Sequence, residues 1–135
     1  IPDIVHCHGW FTALAPFYIK KGYSEDPCFK SSKVVYSIYD ETFSKPFRKG
    51  FPEKLRFDTI GDEEIADIAK REPIDFVELS KIAVDYSDGV IQGSKQINEN
   101  ISKYITDQKV NFLDYEENFD ENVTRIEQFY EKILS

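Results

Sequence analysis

Short apolar runs that stop at a polar residue or a glycine, each followed by residues in helical spacing, recur along this chain and restrict it to very few architectures. Asp3 to His8 carries Ile4, Val5 and Cys7 and ends at Gly9, which predicts a short buried strand. From Trp10 to about Lys21, the spacing of Phe11, Leu14, Ala15, Tyr18 and Ile19 predicts a helix, with Gly22 as its stop. After a polar loop, Lys33 to Tyr39 predicts a second strand through Val34, Val35, Tyr36 and Ile38. The segment Asp40 to Asp58 holds Pro46, Gly50 and Pro52 among Phe43, Phe47, Phe51 and Phe57. Such an aromatic loop either packs down or lines a binding surface.

The second half repeats the alternation. Asp62 to Lys70 predicts a short helix with Ile65, Ile68 and Ala69 on one side. Asp75 caps a helix running to about Tyr86, with Val77, Ile82 and Ala83 inward. Gly89 to Gln92 is a very short strand, and Ser94 is placed to cap a helix from Lys95 to about Ile105. Val110 to Leu113 reads as a last strand or an extended linker. Phe119 to Leu134 predicts an amphipathic helix whose face carries Val123, Ile126, Phe129, Tyr130, Ile133 and Leu134. Strands alternating with helices imply an α/β fold with a parallel, Rossmann-like sheet and helices on both faces.

The 135 residues suit one domain or a piece of one, and the chain starts at Ile1 with no Met anywhere. We therefore expect residues 1–135 to form a single, incomplete domain, with residues 117–135 as a helix packed on it. Hydrophobic residues at 41% and aromatics at 15% provide a core. The 17 basic against 25 acidic side chains leave a net charge of −8. That balance disfavours nucleic acid, whose phosphates are bound by Lys and Arg, and no basic amphipathic stretch suits an anionic membrane. Cys7 and Cys28 read as two reduced thiols, and no apolar run spans a bilayer, so the expected location is cytoplasmic.

His6 and His8 alternate along a strand and point to the same side, where two imidazoles could take two positions of a zinc site. There is no third His, and a further ligand would be a distant carboxylate or Cys28, so no metal is expected. One of the two is instead expected to be a hydrogen-bonded core residue. In a parallel sheet, ligands bind beyond the carboxyl ends of the strands. Three loops should meet there: His8, Gly9 and Trp10; Tyr39 and Asp40; Gly93 and Ser94. Helix starts at Trp10 and Ser94 would offer backbone N–H groups to a phosphate. No GxGxxG or P-loop occurs, Gly93-Ser94-Lys95 is no nucleophile elbow, and the adjacent Asp40 and Glu41 would diverge.

Pro2-Asp3-Ile4-Val5-His6-Cys7-His8-Gly9-Trp10 followed by Phe11-Thr12-Ala13-Leu14-Ala15-Pro16 resembles the "PDVVHAHDWHTALAP" segment of bacterial glycogen and plant starch synthases. Ser32 to Asp40 is similar to that family's strand ending in "TVHN", Lys81 to Val90 to "KAGLxYADxV", and Gln92-Gly93-Ser94 to "TVS". The landmarks keep their order over most of residues 2 to 105. The resemblance implies the amino-terminal part of a two-domain GT-B glycosyltransferase that moves glucose from ADP-glucose to an α-1,4-glucan, with retention and without a metal or other cofactor. Its partners would be the glucan and the sugar nucleotide, together with a second GT-B domain or a second copy. His8, Gly9, Trp10, Thr12, Tyr39 and Asp40 fall on the substrate-binding segments. No catalytic residue is expected here, because the family's donor loop lies upstream and its catalytic glutamate in the second domain.

The departures define the alternatives. Gly9 stands where the family usually has an Asp that contacts the sugars, and Tyr39 and Asp40 replace a His and an Asn. Losing a carboxylate and an imidazole removes two groups able to organise transition-state charge. One alternative is therefore a catalytically inactive single-domain relative that binds glucan or regulates a synthase. Another is a domain of a glycosyltransferase using a different sugar nucleotide. Trp10 and the aromatic loop suit stacking on sugar rings under any of these.

Overall fold

The computed structural model describes residues 3–57, 59–118 and 123–135. Pro2 of the opening motif, Asp58 of the aromatic loop and the expected helix start at Phe119 lie outside the described residues. Four parallel strands, β1 (Ile4–His8), β2 (Lys33–Ile38), β3 (Gly89–Gln92) and β4 (Asn111–Leu113), form one sheet in the order β1-β2-β3-β4. His8 pairs with Ser37, Ile38 with Gln92 and Ile91 with Leu113, so the carboxyl ends of all four strands share one edge. Residues 111–113 are thus a strand and not a linker.

Consecutive strand order with right-handed crossovers sends every connection over the same face. Five α-helices are described: α1 (Ala15–Phe17), α2 (Asp62–Ala69), α3 (Phe76–Asp85), α4 (Glu99–Asp107) and α5 (Val123–Leu134). Phe17, Ile65, Ile68, Leu79, Ile82, Ile101 and Ile105, from the first four, share one core cluster with Cys7, Val34, Tyr36, Ile38 and Val90 of the sheet. The opposite face is covered by α5, where Phe129 and Ile133 bury against Val35 and Ile91. The α/β class with helices on both faces is therefore as the alternation implied. Between these four strands there is no reversal of order, hence no switch-point crevice of the doubly wound kind.

Four elements differ from expectation. The stretch from Trp10 to Lys21 is not one helix. It is a 3-10 turn over Trp10–Thr12, the short α1, and a wider π turn over Tyr18–Gly22. Pro16 has no N–H to give to a carbonyl one turn back, so a regular helix cannot run through it. Phe11, expected on the buried side, is 84% exposed. The cap of α4 is Asn98, whose side chain accepts from the N–H groups of Asn100 and Ile101; Ser94 is four residues outside. On α5 the buried stripe narrows to Phe129 and Ile133, with Val123 and Leu134 exposed, and Ala69 of α2 is exposed as well.

The aromatic loop packs down. Phe43, Phe47 and Phe51 lie against the larger core, and Pro52 and Leu55 are buried in a 3-10 turn, Phe51–Leu55. Asp75 caps α3 as expected, accepting from Glu78 N at 2.8 Å. Cys7 is buried and Cys28 exposed, and both are free thiols. No helix of the described residues is long and apolar enough to cross a membrane.

Candidate functional site

Beyond the carboxyl ends of β1, β2 and β3, the three expected loops do meet, and hydrogen bonds tie them together. Gly9 N donates to Ser37 O at 3.0 Å, and Gly93 N donates to Ile38 O at 2.7 Å, so the sheet pairing runs one residue past each strand. Asp40 N donates to Ser94 Oγ at 2.9 Å, which is what Ser94 does in place of capping a helix. The Tyr39 hydroxyl is 2.8 Å from His8 Nδ1. The Tyr39 ring packs against Gly93, where a Cβ would come within 2.4 Å of it; only glycine leaves room there. Burial pushes the Tyr39 phenol up, Ser37 hydrogen bonding opposes this, and the charge of Glu41 adds to the rise.

His8 and His6 lie on the side of the sheet covered by α5. Their rings stack with centroids 4.0 Å apart and 18° between planes. His6 has a hydroxyl at each nitrogen: Tyr130 of α5 is 2.5 Å from Nδ1 and the buried Ser37 is 2.6 Å from Nε2. A neutral imidazole accepts at one nitrogen and donates at the other, and both hydroxyls can match either role. Burial first, and the nearby His8 second, hold the His6 pKa down at about 4. His6 is thus the hydrogen-bonded core histidine. With both nitrogens engaged it is not offered to a metal, and no cluster of three or more His, Cys, Asp or Glu side chains able to hold one occurs among the described residues.

Trp10 and Thr12 turn inward. Thr12 Oγ1 donates to the carbonyls of His8 (3.0 Å) and Gly9 (2.9 Å), fixing the exit of β1. Trp10 is half-buried between two rings, Phe11 at 4.1 Å and Phe43 at 5.0 Å between centroids, and Phe43 continues the row to Phe47 at 5.4 Å. Trp10 is therefore covered by its own neighbours, and the exposed ring of the row is Phe11. The expected anion seats fall away too. The Trp10 N–H faces Glu41 Oε1 at 3.3 Å, so a carboxylate already occupies that direction, and no helix starts at Ser94.

Glu41, set aside in the sequence as a divergent neighbour of Asp40, lines a cavity of about 500 Å³ at the same rim, on the side of α3 and α4. Asp40, Glu41 and Thr42 line it from the β2 loop, Gln96, Asn98 and Glu99 from the approach to α4, and Phe76 and Ile97 supply its apolar surface. Of the expected site residues only Asp40 reaches it. His8 and Tyr39 lie toward the α5 side, and Trp10 in the aromatic row. None of the lining residues is Lys or Arg. Such a lining suits a neutral ligand rich in hydroxyls: carboxylates accept hydrogen bonds, amides both donate and accept them, and a phosphate would meet like charge. One local signal was available, since Asn98 followed by Glu99 before apolar residues at helical spacing, Ile101 and Ile105, is a helix start.

The sequence model of the starch synthase catalytic domain matches residues 1–116. Curated relatives agree. A glycogen synthase of Desulfitobacterium hafniense is 32% identical over 90 residues, which is 66% of this chain and 18% of that protein. One of Aeromonas hydrophila is 35% identical over 91 residues, 66% of this chain and 17% of that protein. One of Thermodesulfovibrio yellowstonii is 38% identical over 61 residues, 45% of this chain and 12% of that protein. The chain thus spans less than a fifth of the length of these relatives. No solved structure matches it.

Proposed function

This chain belongs to the starch synthase catalytic domain family, and we propose that it forms part of the amino-terminal Rossmann-like domain of an enzyme that transfers glucose from ADP-glucose to an α-1,4-glucan. Residues 117–135 pack back on that domain in this reading, the partner is a second GT-B domain or a second copy, and the work is done in the cytoplasm without a metal or other cofactor. The observation that carries the reading is the rim itself. Three strand-end loops are tied together there beside a cavity of about 500 Å³ lined by carboxylates and amides. That chemistry favours the glucan over the nucleotide. The diphosphate of the donor needs cations, and they would come from elsewhere in the cleft.

Gly9 and Tyr39 favour a second reading, in which the protein binds glucan or regulates a synthase without catalysis. Gly9 has no carboxylate, and the Tyr39 hydroxyl is already engaged by His8. The two readings separate in one assay. The intact gene product is given ADP-glucose and a malto-oligosaccharide, and glucose incorporation and oligosaccharide binding are both measured. Extension of the oligosaccharide supports the enzyme. Binding without extension supports the second reading, and neither binding nor extension removes both.

A further inference from the structure

Gly9 has φ 77° and ψ 171°, a region that essentially only glycine enters. This backbone is held from both ends: Gly9 N donates to Ser37 O, and Gly9 O accepts from Thr12 N at 3.1 Å and from Thr12 Oγ1. It turns the Trp10 N–H toward the β2 loop. From that loop comes Glu41, whose own N–H donates to Tyr39 O at 2.9 Å, a tight turn that brings the side chain back over β1. The carboxylate then rests directly above Gly9. A Cβ on residue 9 would lie 3.0 Å from Glu41 Oε1 and 3.4 Å from Oε2.

We infer that Glu41 is the sugar-binding carboxylate of this rim, delivered from the β2 loop into the space that a glycine at position 9 leaves open. Three observations carry it. Among the described residues the carboxylate has one hydrogen-bond donor, Trp10 N, at the long distance of 3.3 Å, against roughly four acceptor positions on its two oxygens. Glu41 is half-buried and is one of the residues lining the rim cavity, a space of ligand size. Gln96 and Glu99 line the same cavity. A hydroxyl donating to a carboxylate makes the stronger, charge-assisted kind of hydrogen bond, and a glucose ring presents several hydroxyls at once. The ligand class is a neutral polyol, and the inference rests on the glucan reading given above.

The alternative role for Glu41 is structural, as an acceptor that merely satisfies Trp10 N–H. Glu41→Gln separates the two, because the amide keeps an acceptor for that N–H and loses the charge. The intact gene product is titrated calorimetrically with a malto-oligosaccharide and, separately, with ADP, and its melting is followed in parallel. Glu41→Gln is expected to weaken oligosaccharide binding by about tenfold or more with an unchanged melting temperature. Glu41→Asp, which keeps the charge but withdraws it by one methylene, should weaken it as well and serves if the amide variant does not fold. Equal oligosaccharide affinity in wild type and both variants overturns the assignment and leaves the glucan reading standing. Wild-type chain that binds ADP and ignores the oligosaccharide overturns the glucan reading, and the role of Glu41 with it.

Discussion

At the scale of residues, the pair of stacked histidines shows how far a motif can be read and where reading stops. His6, Cys7 and His8 announce a strand end, and their alternation puts both imidazoles on one face, as the structure has them. Their partners are not local. Tyr130 is 124 positions from His6, and Ser37 is 31 positions away, as is Glu41 from Trp10. Nothing near either end of such a contact marks it in the sequence, which is why Asp40 was legible as a strand-end residue and Glu41 was not legible as a companion of Gly9. The environment of His6 yields a prediction about pH. Its pKa is about 4 in the fold against 6.5 when unperturbed. Between those values the unfolded chain binds the proton and the folded chain does not, so stability must fall as pH is lowered from 6.5 towards 4. Thermal melts across that window should show a steeper loss for wild type than for His6→Gln, which has no ring to protonate. Parallel curves would mean that the imidazole gains its proton inside the fold at no cost.

The elements divide by how local their determinants are. The strands were legible because a brief run of β-branched and aromatic residues has few other uses, and β2 is almost wholly buried as such a run should be. Helical spacing was a poorer guide. Trp10 to Lys21 has the right period, yet the turn built by Thr12 at its start and Pro16 in its middle break it into three different turns. The start of α4 is the other case. Ser94 and Asn98 are both good capping residues, and the choice depends on Ser94 being used by Asp40 across the rim. The two residues should therefore differ on replacement. Asn98→Ala removes the acceptor of two helix N–H groups and should cost about 1 kcal/mol in urea denaturation. Ser94→Ala frees an exposed Asp40 N–H that water can satisfy, and should cost less than about 0.5 kcal/mol. Equal costs would return the cap to the place where the sequence alone had put it.

For the whole molecule, acidity and topology act together. Parallel strands in consecutive order gather every strand end on one edge, so the loops that could hold a ligand were predictable as a set, while the cavity among them was not, being made by Phe76 and Gln96 to Glu99 from elements that packing brings close. The chain as a whole carries a net charge of −8, and Asp40, Glu41 and Glu99 line the cavity at that edge. For a neutral glucan this field is nearly irrelevant, because no net charge is brought towards it. For a nucleotide diphosphate it is repulsive, and the repulsion reaches about 10 Å at 0.1 M salt and shortens as salt is raised. Only the charged ligand should thus respond to salt. Raising salt from about 20 mM to about 500 mM should leave the affinity for a malto-oligosaccharide within roughly twofold, and should tighten the weaker binding of ADP as the acidic field is screened. Titration calorimetry of the chain at several ionic strengths measures both. ADP binding that weakens with salt would place a cationic seat for phosphate on this chain, and the nucleotide, not the glucan, would then be the ligand its rim is built to hold.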